Sequence, residues 1–303
     1  MPSDSTPPER SAASAARRAT DDPNRFLIPA EELPPGFADK VEAAEMIPVV
    51  PRPAATVVLL RDAPGGPEAL LLRRHRRSGF AADAWVFPGG TVDEADRAPE
   101  LAERIDGPTP EEWAARLGVD DPYEAIGYVA AALREAFEET GILLARPDGI
   151  GDGPGEEIEG LDVARRALLN GVVELRQVAV THGLRLTGDG VLYIAHWITP
   201  VPEPRRYDTR FFLARVPAEA ECVVHEAEMV DARWLAPAEA VHRFEAGEIK
   251  LLPPTVHTLR RLAEFATFEE LWEALRDAPV PAILPRMRRH AEGVVIEVPE
   301  ELP

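Results

Sequence analysis

The chain has 303 residues, enough for one large domain or two small ones, and 45% of them are hydrophobic, so a substantial core is within reach. Acidic residues outnumber basic ones 53 to 33, giving a formal charge of −20 that argues against nucleic acid or an anionic membrane as a partner and leaves small anions dependent on a local basic patch. The single cysteine, Cys222, rules out an internal disulfide, a CxxC redox pair and a cysteine-based zinc site; with no apolar run near the roughly 18 residues of a membrane span, a cytoplasmic location is expected.

Residues 1–25, rich in Ser, Ala, Arg and Pro, are expected to form a disordered tail, and residues 26–53 a proline-punctuated lead-in wrapping the surface of a main domain over 54–250. "AATVVLLRD" and "EALLLRR" read as an antiparallel strand pair around Gly65 and Gly66. The second run enters the most basic stretch of the chain, "RRHRRSGF", where Arg73 and Arg74 are candidates to receive substrate phosphates; a solvated hairpin end is the other reading. "AWVFPGGTVD" is a short strand ended by Pro88, Gly89 and Gly90.

Residues 97–120 read as a helical insertion, with Thr109 as N-cap and Pro110 at the first helical position. A longer helix opens at Asp121 and Pro122 and stops at Gly141, which suits a left-handed cap. Its last turns carry "LREAFEETGI". There Glu135, Glu138 and Glu139 stand at i, i+3 and i+4 and crowd one face at the negative end of the helix dipole, a small repulsive cost that becomes a gain if a hard cation sits among them. A solvated acidic face is the alternative.

After a glycine-rich loop, residues 156–183 read as helical, a lid over a site. "VLYIAHWITP", "RYDTRFFLARV" and "MVDARWL" are strand-like, and alternation puts Arg206, Asp208 and Arg210 on one strand face, where the arginines contact substrate or the three pair with one another. "PAEAVHRFEAG" and "TFEELWEAL" are helical, and residues 251–303 form a helical extension and tail. The order strands, helix, strands, helix fits an α/β sandwich with a mixed sheet, and no GxGxxG or P-loop motif is present.

Taken together, "GG" and "REAFEETGI" resemble the Nudix box, G-x5-E-x7-R-E-U-x-E-E-x-G-U, where U is bulky and apolar. Arg134, Glu135, Glu138, Glu139, Gly141 and Ile142 fall on its fixed positions, whereas Ala136 is small for its slot. Gly90 takes the glycine position, but Asp96 stands where the motif has glutamate, and 37 residues rather than seven separate it from Arg134. That insertion of 30 residues is similar to one in the nucleoside diphosphate-linked moiety X motif 19 branch, which is CoA diphosphatase-like and peroxisomal in animals. "FPGGTVDEADR", "RYDTRFFLA" and "LLPPTVHTLRRLAEFATFEEL" extend the resemblance over residues 54 to 275. The chain closes on "PEELP" rather than the peroxisomal Ser-Lys-Leu, so that address is not expected here.

The resemblance implies a Nudix α/β/α sandwich and a Mg²⁺- or Mn²⁺-dependent pyrophosphatase. Its metal ligands would be Glu135, Glu138 and Glu139 with the Gly90 carbonyl, and Arg134 would orient a carboxylate. Asp96 would serve the outer metal shell, and Glu226 or, at the more family-like position, Glu228 would be the late-loop base. The implied substrate is a small nucleoside diphosphate derivative, with coenzyme A or acyl-CoA cleaved to 3′,5′-ADP and 4′-phosphopantetheine products. ADP-ribose, a dinucleotide or a nucleoside-diphosphate sugar is the alternative, since Asp83 stands where the better-known CoA-cleaving pattern has glycine. A non-catalytic ligand sensor is the reading from a different class. The inserted helices leave a lid and a homodimer interface both open.

Overall fold

The computed structural model describes residues 18–19, 22–42, 48–75, 82–149 and 159–299. The expected tail therefore lies largely outside the described residues, as do residues 76–81 of the basic run and 150–158 of the glycine-rich loop.

Along the chain, β1 (Arg18–Ala19), β2 (Arg25–Pro29) and α1 (Phe37–Val41) precede the long hairpin of β3 (Arg52–Ala63) and β4 (Gly66–Arg74). Two short strands follow, β5 (Ala84–Val86) and β6 (Gly89–Thr91), then the insertion with α2 (Pro99–Ala102) and α3 (Pro110–Leu117). The long helix α4 (Pro122–Thr140) leads to β7 (Ala145–Pro147), α5 (Leu161–Leu169), α6 (Leu175–Thr181) and β8 (Leu184–Leu186). The second half contains β9 (Val191–Ile198), β10 (Tyr207–Val216), β11 (Met229–Leu235), α7 (Pro237–Glu245), β12 (Lys250–Leu251), α8 (Pro253–Leu262) and α9 (Phe268–Leu275). It ends in β13 (Ala282–Ile283), β14 (Arg286–His290) and β15 (Gly293–Glu297).

The main sheet runs β12-β5-β4-β3-β10-β9-β13, with β11 added on β4 and β6 on β3. It is mixed: β3 and β10, β5 and β12, and β9 and β13 are parallel pairs, and the others are antiparallel. Alternation along its central strands divides the apolar residues between two cores. Val57, Leu59, Phe212 and Ala214 face a core with α3 and α4, while Val58, Leu60, Phe211 and Leu213 face a core with α7, α8 and α9. That is the expected sandwich. The helix ends are set locally: Thr109 and Glu112 complete a capping box on α3, Asp121 accepts the Tyr123 N–H at 2.8 Å, and Gly141 at φ 78° closes α4.

The two ends of the chain differ from expectation. Residues 251–303 are not only helical, because β14 and β15 follow the helices, and β15 pairs antiparallel with β2 of the lead-in. Together with β1 they form a separate four-stranded sheet. Its inward residues Phe26, Ile28, Val294 and Ile296 are β-branched or aromatic and join the second core, which holds the lead-in as a strand rather than a wrapping coil.

Candidate active site

The last two turns of α4 place Arg134 among four carboxylates. Its Nη1 donates to Glu135 Oε1 at 2.7 Å and Glu138 Oε2 at 2.8 Å, its Nη2 to the Thr91 carbonyl at 2.8 Å and Asp96 Oδ2 at 3.0 Å, and its Nε to Asp96 Oδ1 at 3.1 Å. Asp96 is 1% exposed and also accepts the Asp93 N–H at 2.9 Å. Asp96 thus does occupy a place in the site despite the broken spacing, as the partner that fixes Arg134.

The Pro-Gly-Gly turn lies against the same helix. The Gly89 N–H donates to Glu139 Oε2 at 3.1 Å, and a Cβ on Gly90 would displace the Glu135 carboxylate, so glycine here leaves that carboxylate its place. Gly90 and the three glutamates, expected from widely separated stretches, are therefore brought together.

Burial dominates the electrostatics. It pushes Glu135 up to about 7, with the Arg134 guanidinium opposing and Glu138 assisting the rise. Glu138 is raised by the same cause, and Asp96 too, even against its arginine. Glu139 is held well above the usual carboxylate range by burial, by Glu135 and by Glu228, with the Gly89 N–H and Arg74 partly compensating. Asp96, Glu135 and Glu138 share the Arg134 guanidinium while Glu139 stands beside them without it, and this excess of negative oxygen donors in a largely desolvated place fits a hard divalent cation. Among the described residues no three acidic, His or Cys side chains already stand in a ligating arrangement, and Arg134 holds one oxygen each of Glu135 and Glu138.

Beside this cluster opens a cleft of about 710 Å³, within the usual range for small-molecule sites. Gly89, Gly90, Thr91, Arg74 and Glu228 are among its walls, as are the apolar Trp197, Pro200, Leu252, Pro285, Met287 and Ile296 and the charged Glu203 and Arg205 that follow Pro200. Of the two late-loop acids, Glu228 lines the cleft and Glu226 is absent from its walls. Arg74 lines this space, and its buried Nε has no hydrogen-bond partner.

Three expected substrate contacts fall elsewhere. Arg73 alternates away from Arg74 and donates to Asp83 Oδ1 at 2.7 Å. Asp83 adopts φ 63°, the left-handed conformation that glycine favours, so the chain keeps the turn of the glycine pattern while gaining a carboxylate for Arg73. Arg206 donates to the carbonyls of Thr199 at 2.9 Å and Val49 at 2.8 Å. Arg210 is bonded to Asp208, His196 and the Leu117 carbonyl and lies over the Tyr128 ring. The face of β10 that lines the cleft is the opposite one, with Tyr207, Thr209 and Phe211.

The helices expected as a lid are α5 and α6, and neither lines the cleft among the described residues. Instead Arg165 of α5 reaches under the end of α4, donating through Nε and Nη2 to the Glu138 carbonyl at 3.1 and 2.8 Å and through Nη2 to the Val223 carbonyl at 2.6 Å. The loop before β11 is further tied by Val223 N–H to Thr140 O at 2.8 Å and His225 N–H to Glu139 O at 3.1 Å. Arg165 therefore joins the glutamate helix to the loop that carries Glu228. No sequence motif marks it, because its partners are backbone carbonyls.

Comparison with known proteins agrees with this geometry. The family model described as the NUDT19 Nudix domain matches residues 114–262. The chain is similar to acyl-coenzyme A diphosphatase NUDT19 of Gallus gallus, 31% identical over 265 residues, covering 73% of this chain and 70% of the relative. The Xenopus laevis protein of the same name is 26% identical over 266 residues, covering 77% and 70%. Among solved structures, a NUDIX hydrolase from Alicyclobacillus acidocaldarius is 29% identical with a TM-score of 0.61, covering 76% of this chain and 99% of that one.

Proposed function

We propose that this chain, which belongs to the NUDT19 family of Nudix hydrolases, cleaves the diphosphate of coenzyme A or acyl-CoA to 3′,5′-ADP and 4′-phosphopantetheine or its acyl form. The observation that carries the reading is the cluster of three glutamates, Glu139 buried and Glu135 and Glu138 half-buried, behind Gly89 and Gly90 on the wall of a cleft that also has apolar stretches. Its name-bearing relatives act on acyl-coenzyme A, and an apolar wall suits the pantetheine arm.

A divalent cation, Mg²⁺ or Mn²⁺, held by Glu135, Glu138 and Glu139 would neutralise the diphosphate and acidify the attacking water. Arg134, fixed by Asp96, holds one oxygen each of Glu135 and Glu138 and offsets the repulsion between them. Arg74, on the cleft wall, is the guanidinium placed to receive a phosphate oxygen. Glu228 accepts a proton from water as the new P–O bond forms, and the bond from phosphorus to the bridging oxygen breaks, leaving two phosphomonoesters.

The test is product analysis by mass spectrometry with Mg²⁺ or Mn²⁺ against CoA, acetyl-CoA, ADP-ribose, NADH and a nucleoside-diphosphate sugar, with EDTA as control. EDTA-sensitive release of 3′,5′-ADP supports the proposal. Selective cleavage of another diphosphate replaces the substrate, and no turnover on any compound removes the catalytic reading in favour of a ligand sensor.

A further inference from the structure

The apolar part of the cleft is built from pieces that come together only when the chain ends are in place. Met287 and Ile296 are a cross-strand pair of β14 and β15, and both line the cleft beside Pro285. Trp197 and Pro200 at the end of β9, and Leu252 just before α8, extend this apolar surface, which Glu203 and Arg205 of the loop before β10 border. No charged side chain comes from β14 or β15 to the cleft, although Arg286, Arg288 and Arg289 lie on these strands: alternation turns Arg286 and Arg288 outward, and Met287 and Ile296 inward. The terminal sheet thus gives the cleft an uncharged surface continuous with the space beside Gly89, Gly90 and Arg74.

From this continuity we infer that the terminal sheet forms a binding subsite for an aliphatic chain, the acyl group of an acyl thioester whose diphosphate lies at the glutamates. The inference rests on the proposed function and adds the residues that select the acyl group. A diphosphate requires the part of the cleft walled by Gly89, Gly90 and Arg74, next to the glutamates, so the pantetheine arm and the acyl group beyond it have to run along the walls that are left, the acyl group farthest out. A fatty acyl chain has no polar group to satisfy and gains from every methylene removed from water, which matches a wall of Met, Ile, Trp, Leu and Pro. Met287, unbranched and adaptable, suits a surface that accepts chains of different length.

The experiment compares kcat/KM for free CoA and for acetyl-, octanoyl- and palmitoyl-CoA in the wild type, Met287→Trp and Met287→Ala, with thermal melts of each protein. In the wild type the longer thioesters should be preferred, because a buried methylene is worth a factor of roughly four at most. Met287→Trp fills the subsite and should reduce the ratio of palmitoyl-CoA to free CoA about tenfold, the loss of two such methylenes. If that variant does not fold, Met287→Ala carries the test, since it removes contacts without a clash and should flatten the chain-length dependence. A wild type indifferent to chain length, or ratios that persist in a folded Met287 variant, overturns the subsite alone. A wild type that cleaves no CoA compound overturns the proposed function, and the subsite with it.

Discussion

Arg165→Ala is the most informative single perturbation outside the glutamates. The side chain is 8% exposed and makes three hydrogen bonds to two carbonyls, those of Glu138 and Val223. A hydrogen bond from a charged donor is worth about 1.5–3 kcal/mol and an orphaned buried acceptor costs about 1–3 kcal/mol, so loss of both acceptors' partner should destabilise the fold by about 3–4 kcal/mol. The bonds from Val223 and His225 N–H to Thr140 and Glu139 remain, which keeps the loop attached and the variant folded. The α4 terminus also loses a cation that offsets its dipole beside three carboxylates. Urea unfolding should show a lower midpoint at unchanged slope, and kcat should fall more than KM rises, because the loop bearing Glu228 loosens while the cleft walls stay. Arg165→Lys should recover part of the stability, since an ammonium lacks the fork that reaches both carbonyls. A midpoint shift worth less than about 0.5 kcal/mol in Arg165→Ala would refute the clamp, being no more than an ordinary surface change.

Glu138→Gln should retain or gain stability, since it removes a half-buried charge from a repelling set, yet lose most turnover; unchanged turnover in the product assay would exclude the metal-site assignment. Arg74→Ala should raise KM with little change in unfolding midpoint, whereas Arg206→Ala should lower the midpoint by about 1–3 kcal/mol with KM retained, because Arg206 serves the carbonyls of Thr199 and Val49. The His257 ring packs near Phe26 and Trp197, and burial, aided by Arg260, pushes its pKa down to about 4. The unfolded chain then binds the extra proton first as pH falls, so stability is full above about 6.5 and falls by roughly 3 kcal/mol towards pH 4; His257→Phe should flatten that slope in urea titrations at pH 7 and 5.

Much of the site was legible because its signals are local. Asp121, Pro122 and Gly141 mark the ends of α4 by their own caps, and the spacing of Glu135, Glu138 and Glu139 alone puts them on one face. Strand parity puts Asp208 and Arg210, which pair with each other, on one face of β10, whereas Arg206 precedes the strand, and parity yields two faces without saying which one meets the cleft. That is decided by α3 and α4 packing over the Phe212 side. Arg165 was invisible for another reason: its acceptors are main-chain carbonyls 27 and 58 residues away, and a backbone oxygen leaves no trace in residue identity. The terminal sheet was missed because β2 and β15 are five-residue strands at opposite ends of the chain, each too short to announce a partner.

The split motif shows why a long insertion need not disturb chemistry. Asp96 and Arg134 are 38 positions apart, but the structure sets their separation by two anchors rather than by the chain between them. β6 is pinned to β3, with Gly90 opposite Ala55, and thereby to the sheet on which α4 lies. Gly127 of α4 then lets Arg97 and Val92 settle directly on the helix, where a Cβ would meet their side chains at 2.8 and 2.9 Å. The segment from Val92 to Arg97 is thus docked before the insertion begins, and Asp96 is delivered to Arg134 whatever length follows. Gly127→Ala should push that segment outward, lengthen the Asp96–Arg134 contact and cost about 1–3 kcal/mol by overpacking, with turnover falling as well. If the variant instead kept both stability and turnover, the anchor would have to lie elsewhere, and the length of the insertion would regain its importance.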